Sequence, residues 1–256
     1  MNYAICNVAA APVRKEPSHR TEMVNQLLFG DTMQVLEEKD EWRRIKTTYD
    51  DYEGWLTYHL ITDINEKLAT TAPDYFASSI TNPVTLPDQL ITAPMGSTLT
   101  AFDEESRLLW DPHYKYHGTY RKVSAGFNQE TLLKLVYQWI NAPYLWGGKT
   151  FMGVDCSGFV QTIYKVLGVQ LKRDAWQQQE QCTGFLEVED ATIGDLAFFS
   201  NEAGRVIHVG IVLSQQQIIH ASGKVRIDKI TKEGIINSET YKQTHKLHSI
   251  RKVNSQ

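Results

Sequence analysis

The stretch GVDCSGFVQTIYKVLGVQL constrains the fold of this chain more than any other, because it combines a helix signal with a reactive side chain. After Cys156, apolar residues recur every three to four positions, which is typical of an amphipathic helix. Gly153 and Asp155 suit a turn into that helix, and Gly168 suits its end. The sequence therefore predicts a helix that begins at Cys156 and closes at Gly168.

Regular elements flank this helix on both sides. Upstream, QETLLKLVYQWI has the same helical period, with Asn128 as the N-cap and Pro143 at the exit. Downstream, DLAFFS, HVGIVLS and QQIIHASG read as three consecutive strands separated by polar or Gly-containing turns. Helices followed by antiparallel strands predict an α+β domain.

The N-terminal half has a different pattern. Residues 12–62 alternate apolar and polar positions between turn signals, which predicts a small β-barrel. Residues 64–80 are polar and predict a linker. MGSTLTAFDEESRLLWDP then repeats the order Gly, Thr, acidic turn and Trp found in FGDTMQVLEEKDEWRRI, which favours a second, diverged barrel over 81–125. The alternative is coincidence among turn residues.

Composition and charge exclude some classes of binding partner. The chain has 256 residues and a formal net charge of −4, without the basic surface that nucleic-acid binding requires. No run approaches about 18 apolar residues, so no membrane span is expected. The N-terminus has no basic segment before its short apolar run, which argues against a secretory signal and predicts a cytoplasmic protein.

Cys6, Cys156 and Cys182 are the chain's three cysteines. Their odd number and the lack of a Cys-x-x-Cys pair fit neither a disulfide framework nor a zinc ribbon. In a reducing cytosol each would be a free thiol, so any of them could be catalytic.

Cys156 stands where a nucleophile could be activated. A helix N-terminus and a neighbouring imidazole both lower the pKa of a thiol. His208 begins one apolar strand and His220 ends the next, so antiparallel pairing could join them, with His208 as the base and His220 fixing its tautomer. The same cysteine could instead be a small core residue. A metal site formed by all three residues lacks a short-range ligand pair.

The remaining histidines lie in polar segments and are interpreted as surface groups: His19, His59, His113, His117, His245 and His248.

In this order, DCSGFVQTIYKVLGVQLKRDAWQQ, IGDLAFF, HVGIVL and IIHASG resemble the NlpC family of bacterial cell-wall cysteine peptidases, which are papain-like. The resemblance spans about residues 127–252, and the upstream APYLWGG also fits it. It implies that Cys156 is the nucleophile, His208 the base and His220 the third polar residue, with no cofactor and no metal.

The first half resembles bacterial SH3-like domains through its order of turn, Gly-Asp, Trp and Gly-Trp. The predicted organisation is an SH3-like domain over 1–63, a linker and diverged second SH3-like domain over 64–126, and the peptidase domain over 127–256. This arrangement resembles γ-D-glutamyl-L-diamino acid endopeptidases. The resemblance implies that the protein cleaves murein peptides with a free N-terminal L-Ala during peptide recycling. We expect the protein to be a monomer.

The resemblance also implies substrate-binding residues. A Glu and a Tyr of the first SH3-like domain bind the substrate amine in such enzymes, and Glu16 and Tyr52 are matched to them. Asp155 is a further candidate acceptor for the amine, and Tyr144 is expected to help hold the oxyanion. The other predicted substrate-binding residues are Trp146, Ser157 and Asp174.

One position departs from the family pattern. Ala175 stands where the family often has Ser or Thr, so a hydroxyl that would contact the substrate is missing. Two other functions remain open at this point. The same three residues could serve an acyltransferase or amidase, or the chain could be a non-catalytic protein that binds cell-wall peptide.

Overall fold

The computed structural model describes residues 2–103, 108, 110–111 and 113–253. The first unit is an antiparallel sheet with the order β3-β2-β6-β5-β4-β1-β7. Alternate residues point inward to a core that includes Val13, Ile45 and Leu56. This unit, called the first barrel below, contains β1 (Asn2–Cys6), β2 (Ala10–Arg14), β3 (Met23–Leu28), β4 (Thr32–Lys39), β5 (Trp42–Thr47), β6 (Glu53–Thr57) and β7 (Ile61–Ile64).

The middle region is smaller and rests on an aromatic core around Phe29 and Tyr116. It forms a three-stranded sheet, β10-β9-β11, and a two-stranded sheet, β12-β8. Part of the predicted repeat at 95–112 lies outside the described residues. The elements are α1 (Glu66–Thr70), β8 (Tyr75–Ala77), β9 (Thr81–Thr85), β10 (Leu90–Pro94), β11 (Lys115–Tyr116) and β12 (Tyr120–Lys122).

Residues 64–80, predicted as a linker, contain a helix and a strand. Asn65 caps α1 by accepting a hydrogen bond from the Leu68 amide, so the polar residues there begin a helix. Tyr75 to Ala77 then pair with β12.

The C-terminal half begins with helices and ends in a sheet. The elements are α2 (Gln129–Tyr137), β13 (Lys149–Thr150), β14 (Gly153–Val154), α3 (Cys156–Val166), α4 (Ala175–Gln181), β15 (Thr183–Leu186), β16 (Leu196–Ser200), β17 (Val206–Ser214), β18 (Gln217–Ser222), β19 (Lys224–Ile230), β20 (Gly234–Ile236) and β21 (Gln243–Lys252). The predicted α2, α3 and β16 to β18 are confirmed, as is the α+β fold. Helix α4 and strands β19 to β21 were not predicted from the sequence.

The large sheet closes on itself. Its order is β15-β21-β16-β17-β18-β19-β20. A further pairing of β20 with β21 joins six of these strands into a ring. This ring is called the second barrel below and is distinct from the barrel predicted over 81–125. One face of the sheet packs under α3 through Phe198, Val209 and Ile211. The inner face encloses Phe199 and Val212.

Helix α3 is buried along its whole length, because the sheet covers one side and the first barrel another. Polar residues on the barrel side are paired across the junction. Lys165 donates to Asp31 at 2.6 Å, and Gln161 donates to Asp50 at 2.7 Å. The first barrel is therefore fixed against the helix that begins at Cys156. No helix among the described residues has the length and apolarity that a membrane span requires.

Candidate active site

The start of α3 is held by its N-cap. Asp155 Oδ1 accepts a hydrogen bond of 2.7 Å from the Gly158 amide, as helix N-caps do. Cys156 follows as the first helical residue and is only 6% exposed. The backbone amides of Ser157 and Val209 face its sulfur. The thiol thus lies between the first turn of α3 and strand β17.

A buried arginine locks this turn in place. Arg173 makes two hydrogen bonds to the Asp155 carboxylate, of 3.0 and 2.5 Å, and one of 2.9 Å to the Ser157 hydroxyl. Its Nε donates to Asn25 of the first barrel at 2.8 Å. These four residues are called the arginine cluster. Asp155 Oδ2 also accepts from the Gly147 amide, so both carboxylate oxygens already accept hydrogen bonds from the protein. That Asp155 receives the substrate amine stays a prediction, which this geometry does not favour.

The surroundings of Cys156 favour the protonated thiol at neutral pH. Burial raises the pKa of Cys156 to about 12, and the neighbouring Asp155 charge adds to the shift. The Val209 amide and Arg173 oppose the shift but are outweighed. The expectation of a depressed thiol pKa is therefore not met at rest, so the site needs a base to take the proton.

The two predicted histidines lie together. His208 Nε2 and His220 Nδ1 are 2.8 Å apart, and His220 Nε2 is 3.0 Å from Asp228 Oδ2. His208, His220 and Asp228 are called the histidine chain. Burial lowers the pKa of both imidazoles, so both are neutral near pH 7. A neutral His208 has a lone pair with which to accept a proton.

A third histidine packs against the chain. His245 stacks on the His208 ring with centroids 4.2 Å apart. The prediction that His245 is a surface group is wrong. It is half-buried, because the pairing of β20 with β21 turns one face of β21 toward the interior of the second barrel.

Cys156 packs against β17 and His208 lies on it, and no hydrogen bond joins the two side chains within the described residues. Val209 packs with the cysteine, whereas His208, one residue earlier, lies on the inner face opposite Phe199. Within the described part of the chain, the His208 ring is bonded only through Nε2, which leaves Nδ1 without a hydrogen bond. Catalytic contacts are often long in the ligand-free state and tighten with substrate.

A cavity of about 850 Å³ opens over Cys156. Residues from the first barrel form one wall of it, and residues around α3, α4 and β17 form the rest. Most of the predicted substrate-binding residues line it: Tyr52, Tyr144, Trp146, Asp155, Ser157 and Asp174.

Glu16 does not line this cavity; it is exposed on a loop of the first barrel. Glu22, from the same loop, lines the cavity in its place. Its carboxylate accepts a hydrogen bond of 2.8 Å from Trp146 Nε1, which holds it at the cavity wall. Glu22 thus stands at the cavity wall where Glu16 was expected. The two acids lie six positions apart in one loop, and only the folded loop distinguishes them.

Tyr52 and Tyr144 keep their phenolic protons. Burial raises the pKa of Tyr52 to about 12, with a smaller contribution from Asp174. Burial and the nearby Cys156 raise the pKa of Tyr144 well above its usual range. Both hydroxyls can therefore donate hydrogen bonds into the cavity at neutral pH.

Ala175 begins α4 on the cavity wall, directly after Asp174. The Asp174 amide donates to the Gln177 side chain as part of a capping box, which fixes this turn. Burial raises the pKa of the Asp174 carboxyl, although Arg173 opposes the shift. The Asp174 carboxyl is thus held next to Ala175, the position where the family often has a hydroxyl.

Nothing in this geometry points to a metal centre. Among residues 2–103, 108, 110–111 and 113–253, no three His, Cys, Asp or Glu side chains are arranged to hold an ion. The three cysteines are all buried and free.

Two family models match the chain. Residues 141–244 match the NlpC/P60 family, and residues 13–59 match the bacterial dipeptidyl-peptidase Sh3 domain. The first match spans α3 and the strands that carry both central histidines. The second spans most of the first barrel, including Glu22 and Tyr52.

Two curated relatives match most of the chain. The chain is 27% identical over 243 residues to dipeptidyl-peptidase 6 of Lysinibacillus sphaericus, which covers 86% of this chain and 87% of that protein. It is 26% identical over 227 residues to the γ-D-glutamyl-L-lysine dipeptidyl-peptidase of Bacillus subtilis, covering 77% and 71%.

Solved structures have the same fold. An NlpC/P60 family protein from Bacillus cereus superposes with a TM-score of 0.76 at 19% identity, covering 98% of this chain and 99% of that one. An NlpC/P60 endopeptidase from Photobacterium damselae gives a TM-score of 0.74 at 13% identity, covering 97% and 72%. At these identities the likeness concerns the fold. Together, the two family matches identify the chain as a cysteine peptidase in which an NlpC/P60 domain follows a bacterial dipeptidyl-peptidase SH3 domain.

Proposed function

We propose that this enzyme cleaves the bond between γ-D-Glu and the following diamino acid in murein peptides that carry a free N-terminal L-Ala. The observation that carries the proposal is that the first barrel forms one wall of the cavity over Cys156. We expect a wall on this side of the cleft to admit a short N-terminal segment and to exclude a longer one. The relatives named dipeptidyl-peptidases support the same substrate class.

Cys156 is the proposed nucleophile. As His208 Nδ1 takes the thiol proton, the sulfur attacks the γ-carbonyl carbon of D-Glu, and the carbonyl electrons move to oxygen. The first amides of α3 have no partner within the helix and, with the Tyr144 hydroxyl, supply donors for that oxyanion. His208 then gives its proton to the leaving amine, and water hydrolyses the thioester.

The proposed amine site uses Glu22 and Tyr52. An ammonium group at the end of the cleft requires acceptors, of which a negatively charged one binds most strongly. Glu22 is oriented by Trp146, and the Tyr52 oxygen can accept a hydrogen bond while its proton points elsewhere. Lys15, 3.9 Å from Glu22, is exposed, so its competition for the carboxylate is screened by solvent.

Glu22→Gln tests the amine site, with Glu16→Gln as the matched control from the same loop. We expect Glu22→Gln to raise the KM for L-Ala-γ-D-Glu-L-Lys by about tenfold or more, since a charge-assisted hydrogen bond is lost. Glu16→Gln should keep the wild-type KM, because Glu16 lies outside the cavity. Equal KM values for both variants and the wild type would refute the amine site.

The biological role follows from the substrate class. An enzyme that needs a free L-Ala amine acts on peptides already released from the glycan strands, so we propose a role in peptide recycling, in the cytoplasm. A preference for intact cross-linked murein over the free tripeptide would contradict it.

A further inference from the structure

An aspartate that the sequence argument did not single out completes the histidine chain. Asp228 lies on β19 and is 2% exposed, inside the second barrel. Its Oδ2 is 3.0 Å from His220 Nε2 and accepts from Arg226 Nε at 2.9 Å. Its Oδ1 accepts from the Ser238 amide at 2.8 Å. The carboxylate is thus held in one orientation by donors on both oxygens.

The register of the strands explains why Asp228 reaches His220. His220 pairs with Arg226 across β18 and β19, and Asp228 is two residues further along the same face. Such diagonal neighbours lie about 7–8 Å apart at Cα, within reach of a carboxylate and an imidazole.

The ionised state of Asp228 is stable in this position. Burial acts to raise its pKa, but the hydrogen bonds from His220 and from the Ser238 amide outweigh burial and hold the pKa well below its usual range. Asp228 is therefore a carboxylate at neutral pH, which only accepts hydrogen bonds.

The Asp228 carboxylate, at the end of the histidine chain away from His208, fixes the tautomer of His220 and then that of His208. His220 must carry its proton on Nε2 to bond Asp228, so Nδ1 of the neutral ring is an acceptor. His208 must then carry its proton on Nε2 to donate to that Nδ1. The remaining nitrogen, His208 Nδ1, is left as a lone pair.

We propose that Asp228 is a positioning residue that acts through His220 to keep His208 Nδ1 unprotonated and ready to accept the Cys156 proton. The inference rests on the proposed function for its catalytic consequence, although the tautomers themselves do not depend on a substrate.

Asp228 also offsets charges that disfavour a protonated His208. When His208 takes the thiol proton, its ring faces His220, His245 and, further away, Arg226. Asp228 brings a negative charge to this group of residues through its hydrogen bond with His220. Its charge therefore favours the imidazolium that forms during catalysis.

The first experiment needs no substrate. Nitrogen-15 NMR of the full chain with labelled histidine, assigned with His208→Gln and His220→Gln, reports which ring nitrogens carry protons at pH 7.5. The proposal predicts Nε2–H tautomers for both His208 and His220. An Nδ1–H tautomer of His208 would overturn it, whatever the variants do.

The second experiment is Asp228→Asn, with Asp195→Asn as the matched control. Asp195 is another buried, hydrogen-bonded carboxylate of the same half of the chain, outside the cavity. We expect Asp228→Asn to lower kcat by on the order of 10²-fold or more with little change in KM. The acidic limb of the kcat/KM profile should move to lower pH, because the imidazolium loses its counter-charge. Asp195→Asn should retain both the wild-type kcat and the wild-type pH profile.

The outcomes separate this inference from the proposed function. A folded Asp228→Asn enzyme with kcat within threefold of wild type refutes the positioning role. If the wild type does not cut the tripeptide, the proposed function fails. The tautomers and the rate at which iodoacetamide alkylates Cys156 in each variant then decide the inference. If Asp228→Asn does not fold, the wild-type NMR result decides it alone.

Discussion

Two buried polar assemblies flank Cys156, and they are built differently. In the arginine cluster, Arg173 bonds three partners, and both oxygens of Asp155 are occupied. In the histidine chain, each bond leads to the next and one nitrogen, His208 Nδ1, is left over. A saturated cluster fixes position, whereas a chain with one open end fixes the direction in which a proton can move.

The difference assigns separate consequences to the two assemblies. Removing either charged member of the arginine cluster leaves a buried charge without a partner, which lowers stability. Removing a member of the histidine chain changes a tautomer or removes a base, which lowers kcat. Variants of the arginine cluster should therefore mainly lose stability, and variants of the histidine chain should mainly lose activity.

The largest expected effect comes from the residue that both assemblies serve. Cys156→Ala should lower kcat by about 10³-fold or more, since the nucleophile is gone, while the free energy of unfolding changes little because only one atom is lost. Tripeptide hydrolysis and urea unfolding measure the two. Turnover above one hundredth of wild type would contradict the assignment of Cys156.

The histidines test the order within the chain. His208→Ala should be nearly as damaging to kcat as Cys156→Ala, because the base moves protons in both half-reactions, and His220→Ala should be milder. Steady-state kinetics of the two variants compares them directly. Equal losses together with inhibition by a chelator would indicate a shared metal instead.

Arg173→Met tests the saturated side. We expect a loss of about 3–5 kcal/mol in the free energy of unfolding, because the buried Asp155 carboxylate loses its charged partner. Urea unfolding measures it, and the double variant Arg173→Met with Asp155→Asn should recover part of the loss. Lys134→Ala, which removes an exposed pair with Glu130 on α2, is the control and should change little. A similar loss in both single variants would contradict the cluster's role.

The pH dependence of stability gives the smallest effect per residue and per pH unit. The folded pKa of His208 and of His220 lies below the unfolded value of about 6.5, so the unfolded chain binds more protons below that pH. Their contribution is complete above pH 6.5 and is lost as the pH falls below it. Between pH 6.5 and 4.5 the free energy of unfolding should fall by up to about 1.4 kcal/mol per pH unit for each histidine.

Urea midpoints at pH 7.5, 6.5, 5.5 and 4.5 test this slope. In His208→Gln the free energy of unfolding should depend less steeply on pH than in the wild type, because one imidazole with a lowered pKa is removed. Identical slopes for the two proteins would show that His208 is not buried as a neutral ring.

Local patterns account for the parts of the fold that the sequence could predict. The helical period and the signals at Asp155 and Gly168 determine α3, and the apolar runs determine β16 to β18. The first barrel follows from alternation and turn residues. By contrast, α4 has a mostly polar sequence, AWQQQEQ, whose helix depends on the capping box at Asp174 and on burial of Gln178.

The differences between the predicted and the observed site have one physical source, which is long-range pairing. The choice between Glu16 and Glu22 depends on which part of the loop faces Trp146, more than a hundred residues away. Asp155 appeared available because its partner Arg173 is distant in sequence. Asp228 joins the histidine chain, and His245 packs against it, only through strand register and barrel closure, which no local pattern encodes.

Product analysis by mass spectrometry tests the central claim most directly, that the cleft beside Cys156 accepts a short segment with a free amine. L-Ala-γ-D-Glu-L-Lys and its N-acetylated form, mixed at equal concentration with the enzyme, compete in one tube, and the diaminopimelate analogues repeat the assay. The account predicts release of L-Ala-γ-D-Glu from the free peptide while the acetylated peptide remains intact. Equal cleavage of both peptides would contradict it.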